Sequence, residues 1–450
     1  MITSRLFELK TQQRLTTNQR STKMITFQRV IKSLCRTLVG FAILVGSFVA
    51  TPATAVEITL LYPIAVGGPL EKVINGLVAD FESLHPSIDV DAVYAGGYKD
   101  VRVAAQASIE SGNPPAVALL QANLIFELIE EDLIMPFDNF VKTAEDKKWL
   151  NSFSPGFMMN GRTADGKTWG IPFQRSTAVQ VWNKDLFKQA GLDPDYAPQT
   201  WDELVQIASQ VQQKSDASWG IGIHSSSSWM FQSLAIQSGV TLSKPDGKGV
   251  NFSHPAAIEA LKWYADLSLV HKVQAPGVIP YGSLNQAFVK GKFAIAWQST
   301  GSLSGLRKNT TFDLGVSMLP RNKRRGAATG GANLYLFSGA PEVEQRAAYE
   351  LVKFLTQPSQ AARWTLATGY VAPTQEAWET DLLKKYVAVF DGASVARDQL
   401  EFVDREFSTY KHGRVYGLLN KAVQEALTGQ NEPEVIMKRI QREADAILAR

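Results

Sequence analysis

After Val56 the chain alternates between strand-like and helix-like segments, and this alternation restricts the fold more than any other feature. VEITLLY is a buried-strand run, and PLEKVINGLVADFESLHP carries apolar residues at helical spacing behind Pro69. SIDVDAVY alternates like a strand, YKDVRVAAQASIESG is helical, PAVALL is strand-like and ANLIFELIEED is helical. Three β-α units in series predict a largely parallel sheet covered by helices, because parallel strands need a crossover between them. This doubly wound α/β domain should end near residue 140, where the pattern becomes irregular.

A second set follows. TAVQVWNKDLFKQAG reads as a strand running into a short helix ended by Gly191, and TWDELVQIASQVQQK opens on a capping box, Thr200 with Glu203. WGIGIH, FAIAWQS and FDLGVSMLP are strand-like, AAIEALKWYADLSLVH and SLNQAFVKGK are helical, and GGANLYLF leads into the helix EVEQRAAYELVKFLTQ. The C-terminus is almost entirely helical, through VYGLLNKAVQEALTG and EPEVIMKRIQREADAILAR. The pattern contains no heptad run and no fixed-period repeat, and it describes two α/β lobes with helical additions.

Length and composition agree. A chain of 450 residues with 45% hydrophobic composition can bury a core of two or three domain-sized units. Its net charge of +3 is misleading: residues 1–55 hold eight Lys/Arg and one Asp/Glu, leaving 38 basic against 42 acidic residues in the remainder. Such a balance offers no basic face for nucleic acid. The N-terminus has the three parts of a secretory signal peptide: the basic RVIKSLCR, the apolar TLVGFAILVGSFVA, and the small-x-small ending Ala53-Thr54-Ala55. The expected start is Met24, with cleavage after Ala55, giving an exported, periplasmic chain. Its one cysteine, Cys35, lies in this leader, so the body can build no disulfide and no cysteine nucleophile.

Motifs for chemistry are sparse. YPIAVGGPLEK places two glycines ahead of a helix but lacks GK[ST] and G-x-G-x-x-G, so it reads as an ordinary strand-to-helix turn. No H-E-x-x-H or G-x-S-x-G occurs, no metal or cofactor is implied, and the five histidines (His85, His224, His254, His271, His412) are scattered and read as surface or capping residues. Glu130-Glu131 reads as a solvated helix face. Tryptophans are spread across the second half, and Trp229, after HSSSS, is expected to face a cleft, since aromatic faces suit sugar C–H surfaces. RNKRR, Arg321 to Arg325, reads as a solvated loop with the capacity to steer anions.

Four stretches then carry a resemblance over nearly all of residues 56–450: IPFQRSTAVQVWNKDLFKQAGLDP, GKFAIAWQSTGSL, GGANLYLF and ATGYVAPT. The chain resembles the extracellular solute-binding proteins of ABC importers, and within their maltose-binding-like group it is most similar to the glycerol-3-phosphate binders. The resemblance implies a type II periplasmic-binding-protein fold, with one lobe at residues 56–175 and 333–375 and the other at 176–332 and 376–450. Each lobe would be a mostly parallel sheet flanked by helices. A monomer would close on a small polyhydroxylated solute and deliver it to a membrane permease with its ATPase, catalysing nothing. Residue by residue it implies Tyr98 in AGGYKD, Ser176, Ser299, the backbone of Gly331 and Tyr370 as ligand contacts. Two positions depart from the pattern: the acidic residue falls on Ala122, and the late arginine on Tyr416, with Arg414 nearby. Arg175, next to Ser176, is a replacement cation to be tested. An uncharged sugar or polyol is the alternative ligand, and an exported carbohydrate-active hydrolase the alternative class.

Overall fold

The computed structural model describes residues 55–64 and 70–450. The leader through Thr54, with Cys35, and the Gly67-Gly68 turn with Pro69 lie outside the described residues. Ten strands form among the described residues, in chain order: β1 (Val56–Tyr62), β2 (Ile88–Tyr94), β3 (Val117–Gln121), β4 (Ile134–Met135), β5 (Ile171–Asn183), β6 (Trp219–Ile223), β7 (Phe293–Ser299), β8 (Leu314–Ser317), β9 (Ala327–Phe337) and β10 (Val403–Asp404). The main path runs β2-β1-β3-β9-β5-β7-β6; β4 and β10 pair with β9, and β8 with β5.

The βαβ units behave as their connections require: β1 is parallel to β2 and β3, and β6 to β7. The middle of the path is different. β9 is antiparallel to β3, and β5 is antiparallel to β9, β7 and β8, so the sheet is mixed. Both strands enter from irregular segments, and no helical crossover imposes the parallel sense on them. They are also long and change partners along their length. Ile171–Thr177 of β5 pairs with β9, whereas Ala178–Asn183 pairs with β7 and β8. Ala332–Leu336 of β9 pairs with β3, whereas Ala327 and Ala328 pair with β10. All thirteen residues of β5 are buried, as a strand covered on both faces must be.

Separate apolar cores lie on either side of this crossing. One joins Ile58, Leu60, Ile74, Leu77 and Phe81 to Leu351, Val352 and Leu355 of the helix Glu342–Leu355. Another packs the helices Trp229–Gln237, Pro255–Leu269 and His412–Leu427 against Ile221, Ile295 and Trp297. The two C-terminal helices, His412–Leu427 and Pro433–Leu448, send Leu419, Val423, Met437 and Ile440 into this second core.

Helix ends follow their local sequence signals, with one difference at Glu203. Thr200 caps the helix Trp201–Lys214 by accepting from the Glu203 N–H at 3.2 Å. The Glu203 carboxylate, expected to complete a capping box, instead accepts from the Gln199 N–H at 2.7 Å. Gly191 follows the helix Lys184–Gln189 with φ 70°, a left-handed turn that suits glycine. The RNKRR loop is a paired surface: Lys323 meets Glu259 at 2.6 Å, Arg324 meets Asp404 at 3.7 Å, and Arg325 donates to the Gln199 side chain at 3.0 Å.

Candidate functional site

The crossing of β5 and β9 gathers most of the residues singled out above. Arg175 stands opposite Gly331 and Ser176 opposite Gly330 on one ladder, while Ala178 stands opposite Ser299 on the next. A register shift between Pro172 and Gln174 breaks the alternation of β5 just before these residues. Proline, which has no N–H for the ladder, marks the bulge. Gly331 has φ 90°, and a Cβ there would run into the Gln174 carbonyl, so the two backbones approach only because the residue is glycine.

Tyr98 reaches this crossing from the first turn of the helix Tyr98–Glu110. Gly96, at φ 95°, turns the chain, and the Gly97 N–H donates to the Asp100 carboxylate at 2.7 Å, which fixes the entry. The Tyr98 hydroxyl accepts from Gln174 Nε2 at 2.9 Å and lies 3.3 Å from the Tyr370 hydroxyl. Tyr370 is held by its own surroundings. The Val371 N–H donates to the Arg175 carbonyl at 2.8 Å, the ring lies parallel to Trp364 at 6.5 Å, and Gly301 leaves room beside it. Ser299 caps the following turn by accepting from the Gly301 N–H at 3.1 Å. Tyr281 adds a further phenol, its hydroxyl bonded to Ser302 and facing Ser299. Burial raises the pKa of Tyr98, Tyr281 and Tyr370, so all three stay neutral hydroxyls that can donate and accept.

Trp229, expected to face a cleft, is buried at 9% exposure. Its Nε1 donates to the Thr329 carbonyl at 2.8 Å, and its ring fills the space that the missing side chain of Gly330 leaves. His224 links it to the phenols, 5.9 Å from the Trp229 ring and edge-on to Tyr281 at 5.0 Å. His224 and His412 are not surface residues: both are buried, and burial pulls them down to about 4 and about 3 respectively, so they are neutral. The capping role falls to His254, which accepts from the Ala256 N–H at 3.2 Å.

The cation candidates separate. Arg414 is exposed on the first turn of the helix His412–Leu427 and joins no ion pair among the described residues. Tyr416 is half-buried, stacked on His412 at 4.9 Å and Phe407 at 6.2 Å, with its hydroxyl facing Ser227 and Ser228. Arg175 is fully buried: Nη1 donates to Asn333 Oδ1 at 3.1 Å, and the guanidinium lies 5.2 Å from the Phe157 ring. Desolvation lowers it to about 10, where it remains charged.

Sequence reasoning missed Glu406. It is 4% exposed, accepts from Asn123 Nδ2 at 2.9 Å through Oε1, and lies close enough to Arg175, Tyr98 and Tyr416 for its charge to act on each. Desolvation pushes its carboxyl up to about 8 against the pull of Arg175. The signal was a carboxylate inside the aromatic and hydroxyl run EFSTY, with no helical or strand period to explain it. Several buried polar atoms here have no protein partner among the described residues: Gln174 Oε1, Arg175 Nε and Nη2, both His224 nitrogens, Asn123 Oδ1 and Glu406 Oε2. Buried polar atoms are normally hydrogen-bonded, so a cluster of orphans marks a place built to meet polar groups from outside the chain.

Residues 76–391 match the family model described as bacterial extracellular solute-binding protein. The chain belongs to that family. A curated relative of this solute-binding protein is the sn-glycerol-3-phosphate-binding periplasmic protein UgpB of Yersinia pseudotuberculosis, 25% identical over 411 residues, covering 85% of this chain and 90% of the relative. Among solved structures, UgpB from Mycobacterium tuberculosis in complex with glycerophosphocholine superposes with a TM-score of 0.76 at 23% identity, covering 86% of this chain and 98% of that one. Maltose-bound MalE3 of T. maritima gives 0.73 at 23% identity, covering 87% and 100%. The fold is therefore the two-lobe type II fold of these binding proteins, with a helical C-terminus. Its function is to bind a solute for an ABC importer.

Proposed function

We propose that the chain is the periplasmic subunit of an ABC importer and captures a small polyhydroxylated solute between lobes that close at the β5/β9 crossing. The observation that carries this reading is the hydroxyl and amide cluster of Tyr98, Gln174 and Tyr370, drawn from three distant chain segments. Hydroxyl groups donate and accept, and so match the hydroxyls of a polyol, while phenol faces match its C–H surface. Ser176, Ser299 and the Gly331 backbone complete the cluster, with Trp229 and His224 behind it.

The lobes comprise residues 56–175 with 333–375, and 176–332 with 376–450. Contacts across that division support a closed arrangement. Glu127 accepts from the Gly413 N–H at 2.7 Å, Lys411 pairs with Glu130 at 2.6 Å, and Phe126 lies 5.2 Å from the Tyr410 ring. A ligand that touches both lobes only in this arrangement shifts the population toward it, and the permease with its ATPase reads the closed form. The protein acts as a monomer, is exported by a leader cleaved after Ala55, and turns nothing over. Glycoside hydrolysis uses two carboxylates, and the cluster contributes one, Glu406.

Of the two ligand classes, the geometry favours an uncharged sugar or polyol. Arg175 is fully buried and already bonded to Asn333, Arg414 is exposed, and Tyr416 is neutral. Glycerol-3-phosphate or a glycerophosphodiester remains the second reading, favoured by the two unpartnered nitrogens of Arg175 and by what the relatives are named for. Thermal-shift screening of the mature chain tests the reading, since a ligand that binds only the folded state raises the melting temperature by mass action. A neutral sugar or polyol should give the larger shift; no shift with either class refutes the proposal, and turnover of a stabilising ligand refutes the transport role.

A further inference from the structure

The Arg175 guanidinium and the Glu406 carboxyl face the same cluster without forming an ion pair. Instead, a relay of side-chain amides ties them together. Arg175 donates to Asn333 at 3.1 Å, Asn333 Nδ2 donates to the Asn160 carbonyl at 2.9 Å, Asn160 Nδ2 donates to the Glu406 carbonyl at 3.0 Å, and the Glu406 N–H donates to Asn160 Oδ1 at 2.8 Å. Asn123 fixes Oε1 of the Glu406 carboxyl, and among the described residues Oε2 and the guanidinium's Nε and Nη2 have no partner. One rigid frame therefore presents an acceptor and a donor that the protein itself does not satisfy. Buried groups left unmet cost stability, so the frame persists for a reason other than stability.

We propose that Arg175 and Glu406 form the specificity-determining pair of the site and select neutral solutes carrying adjacent hydroxyls. One hydroxyl donates to Glu406 Oε2 while its neighbour accepts from the Arg175 N–H groups. The inference rests on the solute-binding reading above and narrows its ligand class. Once Glu406 is ionised, an anion that satisfies Arg175 meets the carboxylate, and a cation meets the guanidinium; a vicinal diol satisfies both without net charge. Specificity of this kind arises as much from what the pair repels as from what it holds.

Isothermal titration of the full mature chain at a pH above the value of about 8 to which burial raises the Glu406 carboxyl tests the pair. The probes are glycerol, ribitol, glucose and maltose as neutral ligands, inorganic phosphate and glycerol-3-phosphate as anions, and glycerophosphocholine as a zwitterion. The wild type should bind a neutral probe more tightly than any charged one. Glu406→Gln should weaken that neutral binding by about tenfold or more, because a charge-assisted hydrogen bond is lost. The same variant should strengthen glycerol-3-phosphate relative to the neutral probe by a further factor of about ten, because Arg175 is then unopposed. Arg175→Gln should weaken neutral binding without that swing toward anions. If Glu406→Gln fails to fold by circular dichroism, Glu406→Asp, which retracts the carboxylate, must show the same weakening; failure of both to fold makes the pair structural and overturns the inference. A wild type that binds none of the probes refutes the proposed function itself. A wild type that binds a neutral probe with an unmoved ratio in Glu406→Gln, or that prefers phosphate or the zwitterion, refutes only the pair.

Discussion

Replacing Tyr370 separates a ligand contact from a core residue, because its ring and its hydroxyl do different work. The ring is 3% exposed, packs parallel to Trp364 at 6.5 Å and closes on Gly301. Tyr370→Ala removes that packing, and large-to-small changes at buried aromatics cost about 3–5 kcal/mol. Spread over a chain of this size, that lowers the melting temperature by about 4–6 °C. Tyr370→Phe keeps the ring and removes only a hydroxyl 3.3 Å from that of Tyr98, which still accepts from Gln174. One neutral hydrogen bond is worth about 0.5–1.5 kcal/mol, so apo stability should fall by only about 1–2 °C. If the hydroxyl meets the ligand, Tyr370→Phe loses a similar amount of binding energy, an affinity lower by about two- to tenfold. Thermal melts of the apo chain together with titration of whichever probe binds give both numbers. Equal melting losses for Phe and Ala, or an unchanged affinity in Tyr370→Phe, would refute the assignment of Tyr370 to the site.

Three further outcomes follow from the same geometry. Gly331→Ala places a Cβ against the Gln174 carbonyl at φ 90°, so denaturant unfolding should show a loss of at least about 1–2 kcal/mol, the left-handed penalty alone, with binding impaired as β5 and β9 part. Trp229→Phe leaves the Thr329 carbonyl without its 2.8 Å partner, costing about 1–3 kcal/mol in the same assay; an unchanged midpoint would show that the hydrogen bond is dispensable. His224 and His412 are held below their unfolded value of 6.5, at about 4 and about 3, so the unfolded state binds more protons and stability should fall as pH drops from about 6.5 toward 3. Glu406, raised from 4.5 to about 8, acts in the opposite sense: its stability is full below 4.5 and is lost as pH rises through 8. A pH series of melting temperatures should therefore show Glu406→Gln removing the alkaline decline and leaving the acid one.

The sequence by itself determined what depends on neighbours a few residues apart. Each strand and helix read from hydrophobic period stands within a few residues of its expected place, from VEITLLY as β1 to the two C-terminal helices, because periodicity and caps are local properties. Four motif stretches carried the family, and Tyr98, Ser176, Ser299, Gly331 and Tyr370 do come together at one crossing. What only the tertiary structure decided is which way side chains face once distant segments meet. The antiparallel course of β5 and β9 is set by pairings between strands far apart in the chain, invisible to any local window. Burial moved Trp229 and His224 inside, because neighbouring elements cover them. The bulge after Pro172 turned Arg175 toward Asn333 and Phe157, and a contact across 283 positions brought Glu406 to Asn123. Local pattern places a residue on an element; the charge it meets there is settled only when the chain folds back on itself.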